Sequence, residues 1–308
     1  MLATLAAMSK LALALVDALR TRYQLEVGFA EPLLGGYDVW AESWLVESDR
    51  GPLVVRADCS ISLLTASWLA DVMRRAADAG VPCCLPLSST DGAEAFWTKD
   101  ATVTVRAFMK GSVLERDDPG QLRAAGAMLH RALAGAQHAR PAPSPWAACF
   151  WPADHDPPSL RDPELDAWHE AFTHGGDRHF ARGVVHGDFW AQNILWADGR
   201  VAAVIDWSEA QVDLHARELA WATWEFGHDE TSHELDIDRA RTFLAGVRAV
   251  SGSWEPGLRD VLVPLMRVEL RLNARYSLTD PEDVEYNRAL QRAFLKLHRQ
   301  SAAPLLDP

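Results

Sequence analysis

Short β-prone runs dominate the amino-terminal third of the chain, and helix-period patterns of apolar residues dominate the rest. The run from Met1 to Tyr23 is apolar but interrupted by Lys10, Asp17, Arg20 and Arg22, the pattern of an amphipathic helix. Leu25–Phe29, Tyr37–Glu47 and Pro52–Ala57 read as strands, the last two joined by the turn residues Ser48, Asp49, Arg50 and Gly51. Leu63–Ala79 carries Leu64, Trp68, Leu69, Val72, Met73 and Ala76 at helical intervals and stops at Gly80, with Pro82 just beyond. Strands follow at Ala95–Trp97 and Val103–Phe108. Further helices are predicted over Pro119–Ala134, Glu164–Phe172, His215–Phe226, Leu235–Ser251, Pro256–Tyr276 and Pro281–Gln300. The last has Thr279 and Asp280 as caps, Pro281 in its first turn, and Glu282 and Asp283 favouring its dipole. Arg140–Pro163 holds seven prolines and excludes regular structure; it reads either as a plain surface connection or as a loop shaping a pocket. The class implied is α+β.

With 308 residues, 48% hydrophobic and 24% charged, the chain can bury a substantial core as one large domain or two lobes. A net charge of -13 argues against a nucleic-acid surface, which needs clustered cations, and suits a cationic partner better. Cys59, Cys83, Cys84 and Cys149 have no zinc spacing and form no disulfide framework, as expected of reduced thiols in a cytoplasmic protein. No stretch approaches the roughly 20 apolar residues that span a bilayer, and no basic region precedes the first helix, so no membrane partner is expected. Oligomeric state is left open.

Candidate chemistry is concentrated in Val184–Trp196 and Val201–Trp207. Asp188, Asn193 and Asp206 lie there among apolar, β-prone residues, with His186 two positions before the first aspartate. Phosphoryl transfer asks little covalent work of a protein: the acceptor hydroxyl must be oriented and the phosphate charge neutralised. A carboxylate in a tight loop can orient or receive the hydroxyl proton, and an amide oxygen with a second carboxylate offers hard ligands to magnesium without enclosing it. Asp188 is therefore the candidate catalytic residue, and Asn193 and Asp206 the candidate metal ligands. H-x-D-x-x-x-x-N followed by an aspartate is also the spacing of a kinase catalytic loop and its metal-binding aspartate. His186 reads as a hydrogen-bonded loop residue.

With Gly187 after the histidine, and Ile205-Asp206-Trp207 in place of Asp-Phe-Gly, the chain resembles the aminoglycoside phosphotransferase and homoserine kinase-like enzymes. Weaker likenesses are Leu34-Gly35-Gly36-Tyr37, Leu53-Val54-Val55-Arg56, Ala79-Gly80-Val81-Pro82, Ala127-Met128-Leu129-His130 and Arg217-Glu218-Leu219-Ala220-Trp221. The resemblance implies a two-lobed protein-kinase-like fold: a small antiparallel-sheet amino lobe over residues 1–109 and a larger, mostly helical carboxyl lobe over 110–308. It implies ATP, with GTP left open, and Mg2+ as cofactors. Lys110-Gly111 would be the crossing between lobes, where the backbone near Ala107 and Met109 meets a purine edge.

In kinases a strand lysine contacts the phosphates and pairs with a helix glutamate. Arg56 holds that strand position here, and no lysine lies between Lys10 and Lys99. Arginine can clamp phosphate bidentately, so Arg56 is the candidate phosphate contact. A helix partner is missing; Leu69 falls near its place, and Asp71 is the nearest acid. Gly35 and Gly36 either bring amides to the phosphates or form a plain hairpin turn. Glu218 would brace the catalytic loop, and the acidic run Glu225, Asp229, Glu230, Glu234, Asp236 and Asp238 is either a solvated helix end or an attractor of an amine-bearing acceptor. The expected activity is an ATP-dependent phosphotransferase acting on a hydroxyl of a small molecule, aminoglycoside-like or an amino alcohol such as homoserine. The alternative is a kinase-fold nucleotide-binding regulatory module with little or no transferase activity.

Overall fold

The computed structural model describes residues 15–33, 40–98, 100–136, 158–277, 284–297 and 303–306. These divide into two units, one made by the chain up to Arg74 with Cys83–Lys110, the other by Arg75–Pro82 with the chain from Gly111 onward.

The first unit is built on an antiparallel sheet in the order β1-β2-β3-β5-β4, formed by β1 (Val27–Pro32), β2 (Ala41–Ser48), β3 (Gly51–Asp58), β4 (Phe96–Trp97) and β5 (Thr102–Ala107). Side chains alternate across the sheet, so Trp44 and Val46, Leu53 and Val55, and Val103 and Val105 share one face. A helix over residues 15–23, α1, adds Leu15, Leu19 and Tyr23 to that apolar cluster. Burying each such aliphatic side chain contributes about 1.5–3 kcal/mol. The β2–β3 register is set by the two-residue turn Asp49-Arg50, with Ser48 opposite Gly51. Helix α2 (Leu63–Asp78) follows, burying Trp68, Leu69, Val72, Met73 and Ala76.

The second unit is mostly helical: α3 (Pro119–Ala136), α4 (Pro163–Thr173), α5 (His215–Gly227), α6 (Ile237–Ser251), α7 (Leu258–Ser277), α8 (Val284–Leu297) and α9 (Ala303–Leu306). Two small sheets carry its loops. One pairs β7 (Arg182–Val185) with β10 (Gln211–Leu214); the other orders β6 (Ser112–Val113), β8 (Ile194–Ala197) and β9 (Arg200–Val204) as β6-β8-β9. Helices α3 and α6 touch backbone to backbone, because a Cβ at Gly126 would collide with the Phe243 carbonyl and one at Gly246 with the Arg123 carbonyl.

The α+β class and its partition into a sheet-based and a helical unit are as expected, with local corrections. Helix α6 starts at Ile237 rather than Leu235, since Asp236 caps it by accepting the Arg239 amide while Leu235 bridges to His228. Helix α7 starts at Leu258 rather than Pro256 because Gly257 has φ +81. Strands β6 and β10 went unpredicted. The expected cap of the last long helix at Thr279–Asp283, and most of the proline-rich stretch, lie outside the described residues. No helix among the described residues is long and apolar enough to cross a membrane.

Candidate active site

The loop after β7 begins with a backbone constraint. Gly187 has φ +84, and a Cβ there would run into the Glu209 carbonyl. Its amide N–H donates to the Glu218 carboxylate on α5, with oxygens at 3.2 and 3.3 Å. His186 is buried; the Asp188 amide donates to its Nδ1 at 3.3 Å, so the ring proton sits on Nε2 and is given to the Ile205 carbonyl at 3.0 Å. Burial pushes the imidazole pKa down to about 4, against the opposing influence of the Ile205 bond and the Asp206 charge. His186 is thus a neutral strut between two loop segments.

Strand pairing brings the next two residues together. Ile194 of β8 faces Val204 of β9, and the Ile205 amide donates to the Asn193 carbonyl at 2.9 Å, so Asn193 and Asp206 leave the β8–β9 hairpin at adjoining positions. The Asn193 side-chain amide donates to Asp188 Oδ2 at 2.7 Å and to the Asp188 carbonyl at 2.9 Å. Burial pushes the Asp188 carboxyl pKa up, the Asn193 bond opposes this, and the negative charge of nearby Asp206 adds to the rise. Asp206 has φ +55, a left-handed conformation that a non-glycine residue adopts at a cost, and Ser208 Oγ donates to its Oδ1 at 2.7 Å.

The amide oxygen of Asn193 and the carboxylate of Asp206 are hard oxygen donors of the kind Mg2+ takes, and the charge crowding between Asp188 and Asp206 is what a divalent cation would relieve. Among the described residues no group of three or more His, Cys, Asp or Glu is arranged to hold a metal. The chemistry of the donor set fits magnesium shared with phosphate oxygens.

In the sheet unit, Arg56 sits on β3 opposite Ser43 and Thr104, on the face turned away from Val55 and Ala57. Its Nη2 lies 3.5 Å from Asp58 Oδ2, and Asp58 is 2% exposed and also accepts from the Ser60 amide and hydroxyl at 2.8 and 2.6 Å. This acid was missed in the sequence because it was sought on the helix, where Asp71 instead faces Arg74 at 3.9 Å. The two-residue spacing in a strand would have revealed it, since positions i and i+2 share a face. Ala107 is the exposed end of β5, opposite Leu53, and Met109 follows half-buried. Gly35 and Gly36 lie outside the described residues.

A cavity of about 300 Å³ opens beside Trp190 and is walled by Arg116, Trp224, Glu225, Glu230 and Tyr286. Arg116 Nη1 donates to the Glu225 and His228 carbonyls at 2.8 and 3.3 Å, while Nη2 donates to the exposed Glu230 carboxylate. Glu225 is half-buried and lines the cavity. Burial pushes its pKa up to about 8, Arg116 opposes the shift, and Asp188 and Glu230 add to it. The acidic run therefore has several roles: Asp229 accepts the Thr231 and Ser232 amides, Asp236 caps α6, Glu234 pairs with Lys296, and Glu225 and Glu230 face the cavity. Trp190 lines the cavity, whereas Trp207 is buried against His186 with its indole N–H on the Val204 carbonyl.

A small antiparallel-sheet unit followed by a helical unit that carries this aspartate, asparagine and second aspartate defines the protein-kinase-like class of fold. The sequence model of the phosphotransferase enzyme family, APH, matches residues 31–252, and the chain belongs to that family. It is similar to the homoserine kinase of Acidiphilium cryptum (strain JF-5), 28% identical over 204 residues that cover 59% of this chain and 60% of that one. It is likewise similar to the homoserine kinase of Rhodospirillum rubrum, 26% identical over 220 residues that cover 66% of each. The chain thus spans about three fifths to two thirds of the length of these curated relatives. Among solved structures, its fold is similar to amicoumacin kinase hAmiN in complex with AMP-PNP, Ca2+ and Ami, with a TM-score of 0.68 at 10% identity over 94% of each chain. It is also similar to spectinomycin phosphotransferase APH(9)-Ia, with a TM-score of 0.58 at 14% identity over 96% of this chain and 94% of that one.

Proposed function

We propose that the protein transfers the terminal phosphoryl group of ATP to a hydroxyl of a small, amine-bearing acceptor, with Mg2+ as cofactor. The observation that carries the reading is the coupling of Asn193 to both the carboxylate and the carbonyl of Asp188, with the charge of Asp206 alongside. Asp188 orients the acceptor hydroxyl and takes up its proton, helped by a carboxyl whose proton affinity burial has raised. The Asn193 amide fixes the rotamer of that carboxylate, and His186 and Glu218 hold the loop backbone. Asn193 and Asp206 would hold magnesium, which when bound neutralises phosphate charge. Arg56, braced by Asp58, steadies the phosphates, and the main chain at Ala107 and Met109 meets the nucleotide. The acceptor occupies the cavity beside Trp190, where Glu225 and Glu230 favour an ammonium group and about 300 Å³ suits an amino alcohol or one aminoglycoside ring.

The homoserine kinase relatives support an amino-alcohol acceptor, and the antibiotic kinases of similar fold support an amine-rich one. The alternative of a regulatory module draws its force from the absent strand lysine and helix glutamate; the presence of Asp188, Asn193 and Asp206 argues against it, and the Arg56–Asp58 pair supplies an acid beside the strand cation. The deciding experiment measures acceptor-stimulated ADP release against a panel of amino alcohols, homoserine and aminoglycosides, using wild type and Asp188→Asn. Transfer lost in the variant while nucleotide binding persists supports the enzyme. Nucleotide binding by wild type with no acceptor-stimulated transfer across the panel supports the module.

A further inference from the structure

A second cavity of the helical unit, of about 710 Å³, is lined by α3, α6 and α9 and shares no wall residue with the one beside Trp190. Its charged wall residues are Arg123 of α3 and Asp238, Arg241 and Arg248 of α6, so three guanidinium groups stand against one carboxylate in a chain of net charge -13. Arg241 and Arg248 are two helical turns apart, which puts them on one face of α6 with their α-carbons about 10 Å apart along the axis. Ala245 is the residue between them on that face, and no side chain longer than its methyl group fills the gap. Arg123 joins them from the neighbouring helix, because α3 meets α6 at Gly246, where a Cβ would collide with the Arg123 carbonyl.

The wall selects the chemistry of an occupant. Guanidinium groups offer donors only, and the Thr242 hydroxyl spends its proton on the Asp238 carbonyl at 2.7 Å, so an occupant must bring acceptors and negative charge. Asp238 lies in the first turn of α6, where the helix dipole favours its charge, at the end of the arginine stripe away from Arg248. Arg123 and Arg248 are exposed and Arg241 is half-buried, so the cations are within reach of a ligand arriving from solvent. Arg248 Cζ stands 5.6 Å from the ring centre of Trp254, a cation–π contact that restrains this long side chain and lowers the entropy lost on binding. Half-buried Trp254 and the exposed methyl groups of Ala245 and Ala249 add an apolar surface beside the charges.

We propose that this cavity is an accessory binding site for an elongated organic dianion, whose anionic groups pair with Arg123, Arg241 and Arg248 and whose apolar body lies against Ala245, Ala249 and Trp254. Arginine matches the oxygens of a carboxylate, phosphate or sulfonate bidentately, and the two-turn spacing along α6 favours two charges held apart over one. The volume is in the range of small-molecule sites, about 300–1,000 Å³. The proposal stands apart from the phosphotransferase reading.

Naphthalene-2,6-disulfonate, charged at both ends, tests it on the full chain by calorimetry, against naphthalene-2-sulfonate with its single charge. The disulfonate is expected to bind saturably, about tenfold more tightly than the monosulfonate, and to weaken as salt is raised. Arg123→Gln and Arg248→Gln should each weaken it about fivefold, and Ala245→Glu, which sets a carboxylate between the arginines, should abolish its binding. These three positions are exposed, so the replacements read binding rather than folding, and an unchanged thermal melt checks this. No saturable binding, equal affinity for the two sulfonates, or an affinity within about twofold of wild type in the Arg123→Gln, Arg248→Gln double variant would overturn the proposal. Binding that survives these changes but is lost in Arg56→Gln would place the disulfonate at the proposed phosphate contact and overturn it equally.

Discussion

The side-chain amide of Asn193 holds two oxygens of Asp188 at once, the carboxylate at 2.7 Å and the main-chain carbonyl at 2.9 Å. A bond to a carboxylate contributes about 1.5–3 kcal/mol, and here it also fixes where the candidate base points. Asn193→Ala removes both bonds and one of the two candidate metal oxygens. The expected result is a kcat about a hundredfold lower or less, with acceptor KM within threefold of wild type and a urea midpoint lowered by the loss of the two bonds. A variant retaining more than a tenth of the wild-type kcat would remove Asn193 from the machinery.

Arg56 and Asp58 should separate binding from folding. Arg56→Met deletes the proposed phosphate contact but also strands the buried Asp58 carboxylate, so it should raise nucleotide KM about tenfold and lower Tm by several degrees. Adding Asp58→Asn removes the stranded charge. The double variant should recover most of the lost Tm while nucleotide KM stays high, because the two effects have different physical origins. If KM recovers together with Tm, Arg56 acts on the nucleotide only through the stability of the sheet.

The candidate catalytic loop was legible because its chemistry is compressed into a short stretch: the H-x-D-x-x-x-x-N spacing includes one tight turn at Gly187, and Asp206 follows across a single hairpin. Alternation revealed β3 and β5, and helical periodicity revealed α2 to within a residue. The cavity wall was not legible, since Arg116, Trp224 and Tyr286 come from three distant parts of the chain and share no pattern. The apolar run of β7 was readable, but its partner β10 was not: four residues leave too little alternation to read, and only tertiary pairing of Gln211 with Val185 defines it. Glu225 was visible only as one acid in a run of six, and burial on α5 is what singles it out.

Buried titratable groups predict a stability maximum near pH 6.5. His186, His215 and His228 have folded pKa values pushed down to about 4, chiefly by burial. The unfolded chain therefore binds more protons at these sites below about pH 6.5, and stability falls as the medium is acidified through that range. Glu218 and Glu225 behave oppositely: burial raises both to about 8, so the folded chain keeps protons that the unfolded chain has released. Their contribution is fully present below about pH 4.5 and is lost as pH rises toward 8. Between these values the three histidines outweigh the two acids, and above pH 6.5 the acids act alone. Urea midpoints measured from pH 5 to 8.5 should peak near 6.5, and Glu225→Gln should flatten the alkaline limb. A midpoint that climbs steadily to pH 8.5 would contradict the burial of these carboxyls.

On the proposed function, Glu225 would tie acceptor recognition to proton release. Near pH 7 a carboxyl whose pKa is raised to about 8 is mostly protonated, and an ammonium group brought beside it favours the ionised form. Binding a cationic acceptor at pH 7 should therefore release up to one proton. Calorimetric titrations in two buffers of different ionisation enthalpy read that number directly. Neutral acceptors should release none, and amine affinity should strengthen as pH rises through 8. Glu225→Gln should abolish the release and weaken amine binding about tenfold, roughly 1.4 kcal/mol, while nucleotide affinity is unchanged. Arg116→Gln serves as the companion test: removing the cation that favours ionised Glu225 should increase the number of protons released at pH 7. Release that persists in Glu225→Gln would assign the proton to another group and leave this carboxylate without a part in recognising the acceptor.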